Sequence, residues 1–362
     1  MRPERLRLAF ELIKEKKLFA LIPPLPVAML RGNGSPAPLE KGVTLENSEL
    51  IAARQVTLEE LLTFHTADYI EALKESDSGR PPENGSVFGL GYGDNPCFKG
   101  VFEWSSFVTG ASVQAAELVS SGKKDIAFNI GGGLHHAMRG KASGFCYIND
   151  PVVAINHLLK QGKRVAYVDI DAHHGDGVQA AFYDTDKVLT ISLHESGEFL
   201  FPGTGFPEDS GAGQGRGYSI NLPFPPDTGD ELFARGFEEI VPPFIEAYKP
   251  DILVTQLGVD TFASDPITHL RLTTNGFETM VKRFRSMNLP WVALGGGGYD
   301  MDNVKRAWTL AWAIMNEAED REDLIELRDA PLKEKTSAAQ RKSVEEAVRY
   351  LKKEVLPLVR GG

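Results

Sequence analysis

The 362-residue sequence predicts one α/β domain, with a mostly parallel central sheet and helices on both faces. Three observations predict it. Six short apolar runs lack the alternation of a half-exposed strand, as strands buried on both faces do. Helical patterns lie between most of these runs. The residues richest in chemistry follow directly after them, where parallel α/β sheets bind ligands.

The elements follow in order. DIAFNI (Asp125–Ile130) is the first predicted strand, and Asn149–Gln161 the helix after it. RVAYVDID (Arg164–Asp171), VLTISL (Val188–Leu193) and YSINLP (Tyr218–Pro223) are the next three strands. Helix Asp230–Tyr248, strand ILVTQLG (Ile252–Gly258), helix Asn275–Met287, strand WVALGG (Trp291–Gly296) and helix Asn303–Asn316 complete the alternation. A last amphipathic helix, about Ser337–Val355, is expected on the outside. Pro- and Gly-rich stretches at Pro23–Leu39, Ser76–Pro96 and Phe201–Gly217 read as long loops, which in one domain tend to be functional. No internal repeat or low-complexity linker divides the chain.

Composition narrows the function classes. The chain is 42% hydrophobic and 25% charged, ordinary for a large core. A net charge of −11 argues against a nucleic-acid surface, though an acidic rim would attract a basic peptide. Cys97 and Cys146 form neither a zinc motif nor a disulfide framework, which fits reduced thiols in the cytoplasm. No apolar run reaches membrane-spanning length. FALIPPLPVAML is broken by prolines and preceded by EKKL, so a signal peptide is not expected.

The stretch DIDAHHGDG (Asp169–Gly177) runs three aspartates and two histidines out of a core strand. Desolvating that charge costs several kcal/mol per unpaired ion, so something must compensate it. Strand geometry puts Asp169, Asp171 and His173 on one face and His174 on the other. Asp171 and His173 make half a metal site, which Asp260 from another strand end can complete. Two carboxylates and an imidazole suit a divalent ion such as zinc with a fourth position open. Taken singly, Asp260 could be a helix N-cap, and His65, His157 and His269 read as satisfied core or surface residues. His135 and His136, after a glycine turn, are candidates for general base and acid, or for extra metal ligands. Asp169 and Asp176 are available to orient them. Tyr299, after four glycines, could stabilise an oxyanion. As a phosphate loop GGGGY is weak, because the accompanying lysine and dinucleotide acid are absent.

GGGLHHA, ASGFCYIND, DIDAHHGDGVQ, ISLHE, FPGTG, GVDTFASDP and GGGGYD together resemble, in order, the zinc-dependent histone deacetylase family. The resemblance runs from Arg2 to about Asn316. The GFCYIND and GLGYGDNP segments make it most similar to the prokaryotic acetoin-utilisation deacetylases. It implies the single-domain arginase/deacetylase fold, built on an eight-stranded, mostly parallel sheet. It implies residues 1–320 as catalytic core and 321–362 as a helical extension packed on it. Family members carry a strand and a Gly-His-Pro-like segment ahead of the helix that starts here at RPERLRLAF, so the usual first strand is expected to be missing. Arg5 matches an arginine of the inner cavity.

Carried over residue by residue, the resemblance implies zinc on Asp171, His173 and Asp260, with Fe2+ the alternative ion in the cell. His136 matches the general base and acid, His135 an electrostatic helper, and Asp169 and Asp176 their carboxylate partners. Tyr299 matches the tyrosine that polarises the acetyl carbonyl. Phe145 and Phe201, with Gly144 beside them, match the walls of the acyl-lysine tunnel. Asp94 matches the rim aspartate that holds the substrate backbone. Structural potassium is implied at Asp169, Asp171, His173, Ser192 and Leu193, and at Phe182, Thr185, Val188 and Tyr218. The implied reaction removes acetyl groups from N-ε-acetyl-lysine of proteins and releases acetate, with neither nucleic acid nor membrane as partner.

Three rivals stand beside this expectation. A binuclear manganese ureohydrolase would need carboxylates where Gly175 and Phe262 stand. An acetylpolyamine amidohydrolase would take a small-molecule amine substrate instead of a protein. A non-catalytic acyl-lysine binding module would have no use for Tyr299 and both histidines.

Overall fold

Successive side chains of a strand face opposite ways, and the apolar runs of this chain fill both faces. The structure, a computed structural model, describes residues 4–18, 48–332 and 336–359. Before the sheet come α1 (Glu4–Glu15), α2 (Leu58–Leu61), α3 (Ala67–Glu75) and α4 (Val101–Ser120). Then follow β1 (Ile126–Asn129), α5 (Asp150–Lys160), β2 (Val165–Asp169), α6 (Asp176–Phe182), β3 (Val188–Glu195) and β4 (Ser219–Phe224). The chain continues through α7 (Asp230–Tyr248), β5 (Ile252–Gln256), α8 (Thr274–Ser286), β6 (Trp291–Leu294), α9 (Met301–Met315) and α10 (Ala338–Tyr350).

The strand order is β1-β6-β5-β2-β3-β4, and every pairing is parallel. Val165 and Tyr167 of β2 pack into one core with Ile155 of α5, Ala116 of α4 and Phe182 of α6. Ala166 and Val168 pack into the other, with Phe237 of α7, Phe277 of α8 and Trp308 of α9. The sheet is thus sandwiched between α4–α6 and α7–α9, which is why its strands read as continuous apolar runs.

Six strands, not eight, form the sheet among the described residues. Several predicted strands also end early, whereas β3 and β4 run on to Glu195 and Phe224. Ile170–Asp171, Leu257–Gly258 and Gly295–Gly296 leave the ladder, because there the chain turns toward its polar cluster. Helix α4 is the main element the sequence reading missed. It is flanked by β1 on one side and α5 on another, so it carries small and apolar residues around most of its surface and shows little periodicity.

The last predicted helix is present as α10. It continues through a wider turn, Leu351–Val355, and a short 3₁₀ turn, Leu356–Leu358. Ser337 and Gln340 form a capping box at its start. It lies on α7 and beside β4, with Val344, Leu351 and Val355 buried. Pro23–Leu39 lies outside the described residues, whereas 76–96 and 201–217 carry no strand or α-helix. Among the described residues, no helix is long and apolar enough to cross a membrane.

Candidate active site

Four adjacent strands, β1-β6-β5-β2, deliver the chemistry-bearing residues to one rim. β2 ends at Asp169, and the turn beyond it carries Asp171 and His173. β5 ends at Gln256, four residues before Asp260. β6 leads through Gly295–Gly298 to Tyr299, and β1 through Gly131–Leu134 to His135 and His136.

Asp171, His173 and Asp260 meet. One ligand atom from each lies within 4.8 Å of the others, and none of the three residues is more than 7% exposed. His173 Nδ1 is 3.1 Å from Asp171 Oδ1 and 3.0 Å from Asp260 Oδ2. Burial opposes the charge of Asp171, but the imidazoles of His135 and His173 hold it well below the usual carboxylate range. Asp260 is left to rise to about 7, through burial and repulsion from Asp171. Two buried carboxylates and one imidazole converge there, and their oxygen and nitrogen donors suit a divalent ion. The residues therefore fit a metal site. Asp260 is no helix N-cap: its Oδ1 accepts the Ala172 N–H at 2.8 Å, which ties the two loops together.

The remaining lone pairs of Asp171 are held by groups that the sequence reading did not single out. Its Oδ2 accepts Gln256 Nε2 at 2.6 Å and the Gly297 N–H at 2.7 Å. Such outer partners fix the direction in which a ligand atom points. The positions that would carry a second metal's ligands hold Gly175 and Phe262, the latter in the core.

His135 and His136 lie with their Nε2 atoms 3.0 Å apart, so one proton can bridge them. Behind them, His135 Nδ1 is 2.7 Å from Asp169 Oδ2, and His136 Nδ1 is 2.7 Å from Asp176 Oδ1. The environments push the two rings apart. Burial disfavours the charge on His135, but Asp169 and Asp171 outweigh it and raise the ring to about 9. Burial and the neighbouring His135 lower His136 to about 4. At neutral pH one ring holds a second proton and the other has a lone pair to offer. His174 points away, with Nδ1 at Thr204 Oγ1 (2.8 Å) and Nε2 at Gln179 Oε1 (3.1 Å).

Aromatic rings lie beside His136 and beside Tyr299. The Phe201 ring, 44% exposed, lies edge-on to His136 at 5.0 Å and to His173 at 6.4 Å. Phe145 meets the Tyr299 ring at 5.8 Å. Gly144 passes so close to His136 that a Cβ would lie 2.5 Å from its ring. Burial and the charges of Asp260 and Asp171 raise the Tyr299 phenol, so it remains a proton donor. The Tyr299 N–H donates to Asp265 Oδ2 at 2.8 Å. Asp94 is exposed in the turn where the Gly91 N–H donates to Asn95 O.

The residues expected around potassium fall in two groups. Asp169 and Ser192 are register partners across β2 and β3, with Leu193 next along. Thr185 donates its N–H to Phe182 O, and Thr190 donates its N–H to Tyr218 O.

The three histidines set aside as satisfied all have partners. His65 sits between Arg139 O and the Asn149 N–H, His157 meets Gln161, and His269 pairs with the buried Glu195. A second acidic group, Glu60 with Glu117 and His157, is already bridged by the guanidinium of Arg54.

Comparison with known proteins agrees with this geometry. The family model "Histone deacetylase domain" matches residues 2–315. The acetoin utilization protein AcuC of Bacillus subtilis is 42% identical over 278 residues, covering 75% of this chain and 72% of that protein. Human histone deacetylase 1 is 41% identical over 274 residues, covering 75% of this chain but 56% of that longer protein. The crystal structure of a histone deacetylase homolog from Aquifex aeolicus superposes with a TM-score of 0.76 at 37% identity, covering 83% of this chain and 88% of that one.

Proposed function

This chain belongs to the histone deacetylase family, a metal-dependent amidohydrolase by its site architecture, and on that premise we propose that it removes acetyl groups from ε-acetyl-lysine of proteins. The observation that carries the proposal is the pairing of a buried Asp171–His173–Asp260 cluster with two histidines whose Nε2 atoms lie 3.0 Å apart and whose Nδ1 atoms each meet a carboxylate.

Asp171, His173 and Asp260 would hold the ion, zinc in our reading and Fe2+ in its alternative. When bound, the ion supplies Lewis acidity that polarises the amide carbonyl and eases deprotonation of water. His136 is the general base: its Nε2 takes the proton of the attacking water while Asp176 steadies Nδ1. His135, charged against Asp169, stabilises the developing negative charge and keeps His136 in place. The Tyr299 phenol donates to the carbonyl oxygen as it becomes an oxyanion. His136 then returns its proton to the departing amine, leaving lysine and acetate. Phe145 and Phe201 line the path of the aliphatic stem, with Gly144 making room beside His136. Asp94, exposed in its turn, is proposed to hold the substrate backbone.

Structural potassium is proposed at Asp169, Asp171, His173, Ser192 and Leu193, and at Phe182, Thr185, Val188 and Tyr218. Residues 1–320 are proposed as the catalytic core and 321–362 as its helical extension. A cytoplasmic setting fits the two free thiols, Cys97 and Cys146.

The test is acetate release from an acetyl-lysine peptide and from acetylputrescine, with metal content measured on the same sample. The proposal expects the peptide to be the better substrate by kcat/KM. Preferential turnover of acetylputrescine would move the substrate to the free polyamines, and no turnover of either would sink the proposal.

A further inference from the structure

The dipeptide Asn149–Asp150 closes the motif GFCYIND, yet nothing in the reaction above uses it. Both residues are fully buried at the start of α5. Asp150 Oδ1 accepts the Leu134 N–H at 2.8 Å, and its Oδ2 accepts the Gly133 N–H at 3.1 Å. The same Oδ2 accepts the Ser112 hydroxyl at 2.5 Å, and Ser112 Oγ accepts Asn129 Nδ2 at 2.8 Å. Asn149 Nδ2 donates to the carbonyls of His135 and Ala137, at 3.1 and 2.9 Å. The Asn149 N–H donates to His65 Nε2 at 3.1 Å.

The two side chains therefore grip the main chain on both sides of the histidine pair. Asp150 holds the two peptide groups before it, and Asn149 holds the carbonyls of its first residue and of the residue after it. Two glycines record how close this grip is. A Cβ on Gly132 would lie 2.6 Å from Asp150 Oδ2. One on Gly177 would lie 2.5 Å from His135 O and 2.7 Å from Asn149 Nδ2. Side chains at either position would expel the dipeptide, and both positions are glycine.

We propose that Asn149 and Asp150 are positioning residues, which fix the backbone of 133–137 so that the two imidazoles face each other and the substrate. Asp169 and Asp176 orient each ring from its Nδ1 but leave its Cα free to shift. The turn before the rings is a run of three glycines, the least constrained backbone available. Carboxylate–amide hydrogen bonds are the strong kind, and buried acceptors on a loop of this type stiffen it. Reacting groups displaced by about 1 Å can lose roughly 100-fold in rate, so the clamp has something to protect.

This inference rests on the assignment of His135 and His136 to proton transfer, and its test separates the two. Asp150→Asn and Asn149→Asp are made in the full chain, and kcat, KM, metal content and thermal melting are measured. The clamp expects kcat to fall roughly 10- to 100-fold, KM to stay within about twofold and metal content to match wild type. Wild-type kcat per folded, metal-loaded chain in both variants would overturn it. Ser112→Ala removes one support of Asp150 without changing charge, and it decides the matter where the other variants do not fold. A drop of at least about threefold in kcat supports the clamp, and wild-type kcat overturns it. Should the wild type itself hydrolyse no amide, the deacetylase assignment fails alone. A crystal structure of Asp150→Asn then judges the clamp: the 3.0 Å His135–His136 contact widens if the clamp is real and is unchanged if it is not.

Discussion

Tyr299 and Asp260 illustrate how much a single residue decides here. The Tyr299 phenol is raised by burial and by the carboxylates around it, so it donates rather than ionises across the working pH range. Tyr299→Phe should lower kcat by roughly 100- to 1,000-fold while leaving metal content and KM close to wild type. An unchanged rate of acetate release would remove the phenol from the mechanism. Asp260→Asn keeps the acceptor for the Ala172 N–H but loses the charge that faces His173. It should lose the ion, seen as a metal content near zero after dialysis with the fold intact by circular dichroism. The cluster was legible in the sequence because so many ionisable groups follow one buried strand. Gln256 was not, because an uncharged amide at the end of an apolar run carries no such mark, although its Nε2 fixes Asp171 Oδ2. Asn149 and Asp150 were visible as part of a motif, but only the fold brings them back against the histidine turn.

At the scale of elements, the strands were legible, but helices α2, α3, α4 and α6 were not, α4 being the longest of them. A buried strand announces itself by an unbroken apolar run. Helix α4, with small or apolar residues on most of its turns, offers neither a run of strand length nor a clear stripe. The junction between α2, α5 and the histidine turn gives a pH prediction. His65 is buried, with Nδ1 3.2 Å from Arg139 O and Nε2 accepting the Asn149 N–H. Burial lowers its imidazole to about 4, against 6.5 in the unfolded chain. The unfolded state then binds the proton first. The stabilisation is complete above pH 6.5 and is lost as the pH falls from there to about 4, by roughly 3 kcal/mol. Urea unfolding at neutral and acid pH measures this loss. His65→Gln offers an amide in place of the ring and has nothing to titrate, so its loss on acidification should be smaller by about that amount. Equal losses in the two proteins would rule out His65 as the source.

The whole molecule is a parallel sheet closed on both faces by helices, with its chemistry at the carboxyl ends of four neighbouring strands. That arrangement followed from the order of runs and motifs. The position of α10 did not, since amphipathicity says that a helix packs but not where. It lies beside β4, which stands at the end of the strand order, and buries Leu351 completely. Leu351→Ala should destabilise the fold by about 2–5 kcal/mol with little change in kcat, which thermal melting and steady-state kinetics together would check. Retained stability would mean that this region contributes little to the fold. The central claim concerns one ion in one buried cluster. Its most direct test is to strip the protein with a chelator and titrate zinc back while acetate release from an acetyl-lysine peptide is recorded. Activity should be absent at the start, rise in proportion to added zinc, and break at one equivalent per chain, with Asp260→Asn flat throughout. Full activity in the stripped protein, or a break at two equivalents, would contradict the account.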